Sequence, residues 1–211
     1  MTTRLIDSVT ITRANIYKGA ARVLVDDGTG TFASFPGELE TVINPTTYVA
    51  AGGLTDLGPT TEDGVMIRRE AEIDEGIPVD QRATNLDEGE PESWAMEAET
   101  TLLHTDLDTI NIAWQAGTKR NISGSVVEQS SLDLDAPTTF TERMAFIVQE
   151  DGQNGRMRVF AFRAAVPAVD GSEMNIQGNE ATGLPLKLKL RADESIDAGS
   201  GQFGKIFEED A

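Results

Sequence analysis

This sequence predicts a mainly β fold with one flanking helix and long connecting loops, on three observations. Leucine occupies every second position from Leu184 to Leu190, with Lys187, Lys189 and Arg191 on the opposite face, the two-residue period of a half-buried strand. Arg143–Glu150 (RMAFIVQE) and residues 156–166 (RMRVFAFRAAV) are apolar on both faces, as strands covered on both sides are. Turn residues are abundant, with 20 glycines among 211 residues, which favours short strands and turns over a helical bundle.

The elements follow in chain order. Val9 and Ile11 alternate with Thr10 and Thr12, and ARVLVD at residues 21–26 reads as a further extended segment, closed by the Asp27-Gly28 turn. From Phe32 to Gly64 the chain carries Pro36, Pro45, Pro59 and the Gly52-Gly53 pair. So long an irregular stretch is usually functional or dependent on a partner, and residues 27–64 are expected to form an arm that packs on a neighbouring subunit. Residues 65–73 place Val65, Ile67, Ala71 and Ile73 on one face and Met66, Arg68, Glu70 and Glu72 on the other, with Arg69 interrupting the apolar face. Residues 75–92 are too polar to fold alone, and either stay a surface loop or order against the next subunit. Residues 93–103 form the partner strand, with Trp94, Met96, Ala98 and Leu102 against Glu97, Glu99 and Thr101.

One helix is expected, over residues 105–116. Thr105 would cap it, Asp108 would complete a capping box, and Gly117 would close it. Leu107, Ile110 and Trp114 share one stripe, so they are the expected helix-to-sheet packing residues. Residues 118–139 are weakly extended, Asp151–Gly155 (DGQNG) is a hairpin turn by composition, and the acidic, glycine-rich tail from Asp193 has only Phe203 and Phe207 as large anchors. No internal repeat divides the chain, so residues 1–211 read as one domain, long enough to bury roughly 70% of its extended surface.

Composition excludes several chemistries. There are no cysteines, hence no disulfides, thiolate metal sites or cysteine nucleophiles. His104 is the only histidine, so no histidine cluster exists and its place beside the helix start fits a structural role. Asp26-Asp27-Gly28 and Glu62-Asp63-Gly64 lack calcium-loop spacing, and no glycine-rich loop has nucleotide-binding spacing. Carboxylates at i, i+2, as in Glu70/Glu72 and Glu97/Glu99, are what any acidic strand face presents, without the apolar pocket that an acid catalyst needs. No catalytic residue, metal ligand or cofactor is therefore expected. The amino terminus has no apolar stretch of signal-peptide length and no run approaches the ~18–20 apolar residues of a membrane span, so no membrane role is expected.

The charge itself is uneven. The net charge is −19, which argues against a basic nucleic-acid footprint. Between Glu62 and Glu99, thirteen acidic residues against three arginines hold ten of the nineteen net negative charges. If the two strands pair, Glu70 and Glu72 share a sheet face with Glu97 and Glu99. The plain reading is solubility; the sharper one is a surface that repels a passing polyanion.

The order of these elements, an early arm, GLTDLGPTTEDGVMIRREAEID, a polar loop, SWAMEAETTLLHTD, a helix with Trp114 and three late strands, resembles the major tail protein (tail tube protein) of long-tailed bacteriophages. The resemblance implies a β-sandwich or barrel-like tail tube fold whose copies form rings, hexameric in expectation, stacked into a hollow virion tail. It implies assembly in the host cytoplasm with tail tip, tape measure and terminator proteins as partners. DNA would slide through without specific binding, past an electronegative wall to which Glu70, Glu72, Glu97 and Glu99 would contribute. Segments 27–64 and 75–92 become candidates for contacts between subunits. Two features depart from it: Arg68 shares the expected channel face, and the Lys187, Lys189 and Arg191 stripe is expected outside it or against an acidic patch of the next subunit. The alternatives are another ring-forming virion protein such as a connector, a secretion-tube protein, or a monomeric acidic binding module.

Overall fold

The computed structural model of the chain describes residues 21–29, 32, 34–73, 91–123, 129–136, 139–150, 156–168, 173–174, 183–197 and 200–209. The expectations for residues 9–12, for the acidic stretch 74–90 and for the turn 151–155 lie outside them. The strands are β1 (Ala21–Asp26), β2 (Leu54–Ile73), β3 (Pro91–Leu102), β4 (Lys119–Ile122), β5 (Gln129–Leu132), β6 (Arg143–Glu150), β7 (Met157–Pro167), β8 (Leu184–Arg191) and β9 (Gly204–Glu208). A single α-helix among the described residues, α1 (Leu107–Trp114), stands between β3 and β4, and a 3-10 turn covers Leu39–Thr41. Six strands pair antiparallel in the order β1-β2-β3-β8-β7-β6, and β6 returns to β1, closing a barrel. On its other edge β7 meets β8 at Ala164–Pro167 and β9 at Arg158–Phe162. β4 and β5 form a separate two-stranded sheet beside the helix.

Two apolar clusters follow from the period-two patterns. Inside the barrel, Val23 and Val25 of β1, Ala145 and Ile147 of β6, Phe162 of β7 and the four leucines of β8 pack together. Outside it, the opposite faces of β1, β6 and β7 carry Leu24, Phe146, Val148, Val159 and Ala161, and these form a second cluster with Leu39, Val42 and Ile43. This explains why β6 and β7 read as apolar on both faces: each has a layer on either side. The alternation in β8 is fully realised, with Leu184, Leu186, Leu188 and Leu190 all buried.

The cover over the second cluster corrects one expectation. The segment read as an arm for a neighbouring subunit packs, through Leu39, Val42 and Ile43, on this chain's own barrel. A two-faced apolar strand needs a second cover, and residues 34–50 supply it. The last eleven residues of the expected arm, 54–64, are not loop at all but the first half of β2. Their glycines and proline are accommodated because Gly58 adopts a left-handed φ of 89° where its backbone passes so close to His104 that a Cβ would lie 2.6 Å from the His104 Cβ. A break in register between Thr60 and Val65 then absorbs residues 61–64 as a bulge, which Thr100 Oγ1 pins by donating to the Gly64 carbonyl at 2.7 Å. The tail contributes a strand of its own, since residues 204–208 are β9, with Phe207 packed against the outer cluster.

The helix is shorter than expected and differently capped. Asp106, not Thr105, has the extended N-cap backbone, and its Oδ1 accepts from the Thr109 N–H at 2.8 Å. Burial pushes the Asp106 carboxyl up, but hydrogen bonds from the Thr109 hydroxyl and N–H outweigh it and hold the group below its ordinary range. Asp108 takes no part in a capping box and pairs with Lys119 of β4 at 2.5 Å. At the other end Gln115, with φ 49°, takes the left-handed position assigned to Gly117, whose N–H instead donates to Asn111 Oδ1 at 3.0 Å. Ile110 and Trp114 are half-buried and pack against the interior cluster; Leu107 is half-buried, and the fully buried helix positions are Thr109 and Ala113. The contact face is thus centred one residue from the stripe read in the sequence, with the smallest side chains at closest approach.

Candidate assembly surface

With its own chain covering the outside of β1, β6 and β7, the barrel leaves the outer face of β2, β3 and β8 uncovered among the described residues. Pairing register fixes what this face presents. Met66 lies opposite Glu99, Arg68 opposite Glu97, Glu70 opposite Ala95 and Glu72 opposite Ser93. On the far side of β3, Glu99 lies opposite Lys187 and Glu97 opposite Lys189. Three columns of side chains therefore run side by side: Met66, Arg68 and Glu70 on β2, Glu99 and Glu97 on β3, Lys187, Lys189 and Arg191 on β8.

Of the four carboxylates singled out in the sequence, Glu70, Glu97 and Glu99 share this sheet face, but not as a uniform acidic wall. Lys187 Nζ bridges Glu97 at 3.0 Å and Glu99 at 2.9 Å. Hydrogen bonding from Lys187, then its charge, holds the Glu99 carboxyl below its ordinary range. The same bonds, Glu99 first and Glu97 second, raise the Lys187 ammonium. Arg68 reaches toward Glu70 at 3.9 Å, and Arg191 donates to Glu142 at 2.6 Å. The basic stripe, expected outside the channel face or against an acidic patch of the next subunit, is instead the neighbour of Glu97 and Glu99 in the same chain, because β8 pairs directly with β3. Opposite charges facing each other across strands add a little to sheet stability where like charges would subtract from it. Such exposed pairs are screened and contribute little net stability, so their effect is on the potential of the face.

Beyond the barrel, the β2–β3 hairpin overhangs. β1 pairs with β2 only up to Pro59 and β8 with β3 only from Met96 onward. On this overhang Arg69 lies over the Trp94 ring, 4.0 Å from its centroid, a cation–π contact. Arg69 breaks the apolar alternation at the barrel rim, where it stacks on Trp94 while its register partner Met96 packs against the interior cluster. Trp94 remains 45% exposed and Met66 52% exposed. Beside the bulge, a cleft of about 390 Å³ is lined by Asp63, Glu99, Thr100, Pro185 and Lys187; it is open and mixed in charge, with the Glu99–Lys187 ion pair on its wall.

The chain is thus a closed antiparallel barrel with one side sheathed by its own residues 34–50 and, among the described residues, a broad charged sheet face left uncovered. A family model described as phage tail tube protein matches residues 13–198, and the chain belongs to that family. A search of curated proteins finds no match. Within the described residues no helix is long and apolar enough to cross a membrane.

Proposed function

We propose that copies of this chain close into rings and stack into the hollow tube of a phage tail, with the outer face of β2, β3 and β8 turned toward the channel through which DNA passes. The observation that carries the orientation is the uncovered sheet face. The outer faces of β1, β6 and β7 are occupied by residues 34–50, so they are closed to a channel, whereas the β2–β3–β8 face is polar and uncovered among the described residues. Head-to-tail contacts that close by rotation make rings, and stacking of rings is an open repeat that makes a filament.

The interleaved signs on this face refine the electrostatics. Lys187 neutralises much of the Glu97–Glu99 pair, so a passing phosphate chain meets alternating charges, neither strongly attracting nor strongly repelling. A net charge of −19 on the whole chain then sets the repulsive background. Replacing Glu70, Glu97 and Glu99 together by lysine places new cations beside Arg68, Lys187 and Lys189. Because the lost ion pairs are solvent-screened, assembly should survive. Tubes of this variant should retain double-stranded DNA at low salt and release it near 0.15 M, where the screening length falls to about 8 Å. Variant tubes that stay as indifferent to DNA as the parent at low salt would remove these residues from the channel.

A further inference from the structure

The overhang leaves a strand edge bare. From Thr60 to Ile73, β2 has β3 on one side and no described partner on the other, an edge roughly 40 Å long at the rise of a β-strand. Natural sheets guard such edges by keeping them short or by proline, lysine or inward charge. Here residues 65–73, VMIRREAEI, carry no proline and no lysine, Arg69 is the one charge on the inward face, and the register shifts only at the two ends, before Val65 and between Glu72 and Ile73. Among the described residues the same sheet has a second open edge, at the outer side of Lys205–Phe207 in β9, where Ile206 is 64% exposed.

We propose that the free edge of β2 in one subunit pairs antiparallel with the free edge of β9 in the next, so that the occupant of each edge is a second copy of this chain. This rests on the reading of the protein as a tube subunit and names the contact that joins neighbours. Two features carry it. One is symmetry: pairing β2 with β2, or β9 with β9, is two-fold and stops at a dimer, whereas β2 with β9 leaves one open edge at each end and propagates. The other is complementarity of sequence at one register. With Ile206 set opposite Ala71, Phe207 falls opposite Glu70 and Glu208 opposite Arg69. Ile206 thus meets a small apolar residue and Glu208 meets an arginine, while Phe207 keeps its place in its own chain's outer cluster. Glu208 also holds Arg158 of β7, at 2.8 Å, so it would sit between two arginines. Backbone hydrogen bonds supply the affinity in strand addition and the side-chain pairs supply the register.

The absence of native cysteine makes the test clean. In the full-length chain, Ala71→Cys with Ile206→Cys places two thiols at opposed positions, within reach of a disulfide only if the strands pair as stated. Mild oxidation of the assembled double variant should give a ladder of covalent multimers beyond the dimer on denaturing gels, and each single variant should give none. The tube reading is scored separately, by electron microscopy of the same sample before oxidation. Tubes without a ladder would overturn the edge pairing while leaving the tube intact. Dimers from Ala71→Cys alone would also overturn it, in favour of two-fold β2 contacts. A ladder without tubes would support the pairing and contradict the tube, and the absence of both would overturn both. Should the first pair fold poorly, Arg69→Cys with Glu208→Cys tests the same register two residues along.

Discussion

Replacing Phe146 with alanine is expected to cost about 3–5 kcal/mol of folding stability, read as a lower urea midpoint of the monomer at unchanged slope. Phe146 is fully buried on the outer face of β6, between Leu24 of β1 and Ala161 of β7 in register. Its ring meets Phe32 edge-on with centroids 5.4 Å apart, a geometry favourable for aromatic pairs. It is the largest fully buried side chain beneath the cover, and the strands around it are held by the barrel and cannot collapse into the space. The cover segment would then lose its central contact, so residues 34–50 should become more open to proteolysis in the variant. A loss below 1 kcal/mol, of the size expected for a surface substitution, would mean that the cover does not sit on β6 as described.

Gly204 is the second sensitive position. Its φ is 152°, and its backbone passes so near β7 that a Cβ would lie 1.9 Å from the Ala161 carbonyl oxygen. That neighbour is main chain in the middle of a paired strand and cannot move aside. Gly204→Ala should therefore peel the start of β9 from β7, release Phe207 from the outer cluster and cost about 1–3 kcal/mol. Hydrogen exchange is the direct readout: amides of β7 and β9 should lose protection while those of β8 keep theirs. Unchanged protection across β9 would contradict the pairing of Phe162 with Gly204.

Elements whose information is local were legible in the sequence. The leucine alternation of β8 and the double-sided apolarity of β6 and β7 translate directly into burial, since a strand's period is set by its own backbone. The mainly β class with one helix and the tail tube resemblance were readable for the same reason, being carried by element order. What the sequence concealed is long-range. Lys187 was separated from Glu97 and Glu99 because nothing local says that β8 lies beside β3, although all three stand at the two-residue spacing a shared face requires. Residues 54–64 looked like loop because Gly58, Pro59 and Gly64 are turn residues, whereas tertiary pairing with β1 and β3 holds them extended around a bulge. The cap moved from Thr105 to Asp106 because both residue types cap helices and only the backbone decides which one stands at the boundary. The segment 34–50 read as an arm because its apolar residues, Leu39, Val42 and Ile43, are few, and the surface they cover belongs to strands a hundred residues away.

The claim on which the rest depends is that this chain builds a tube, and negative-stain electron microscopy of the purified protein across a range of concentrations tests it most directly. Hollow tubes or stacked rings whose proportion rises with concentration are the expected result. A particle that stays monomeric at every concentration, including after addition of preformed tube fragments as seeds, would contradict it.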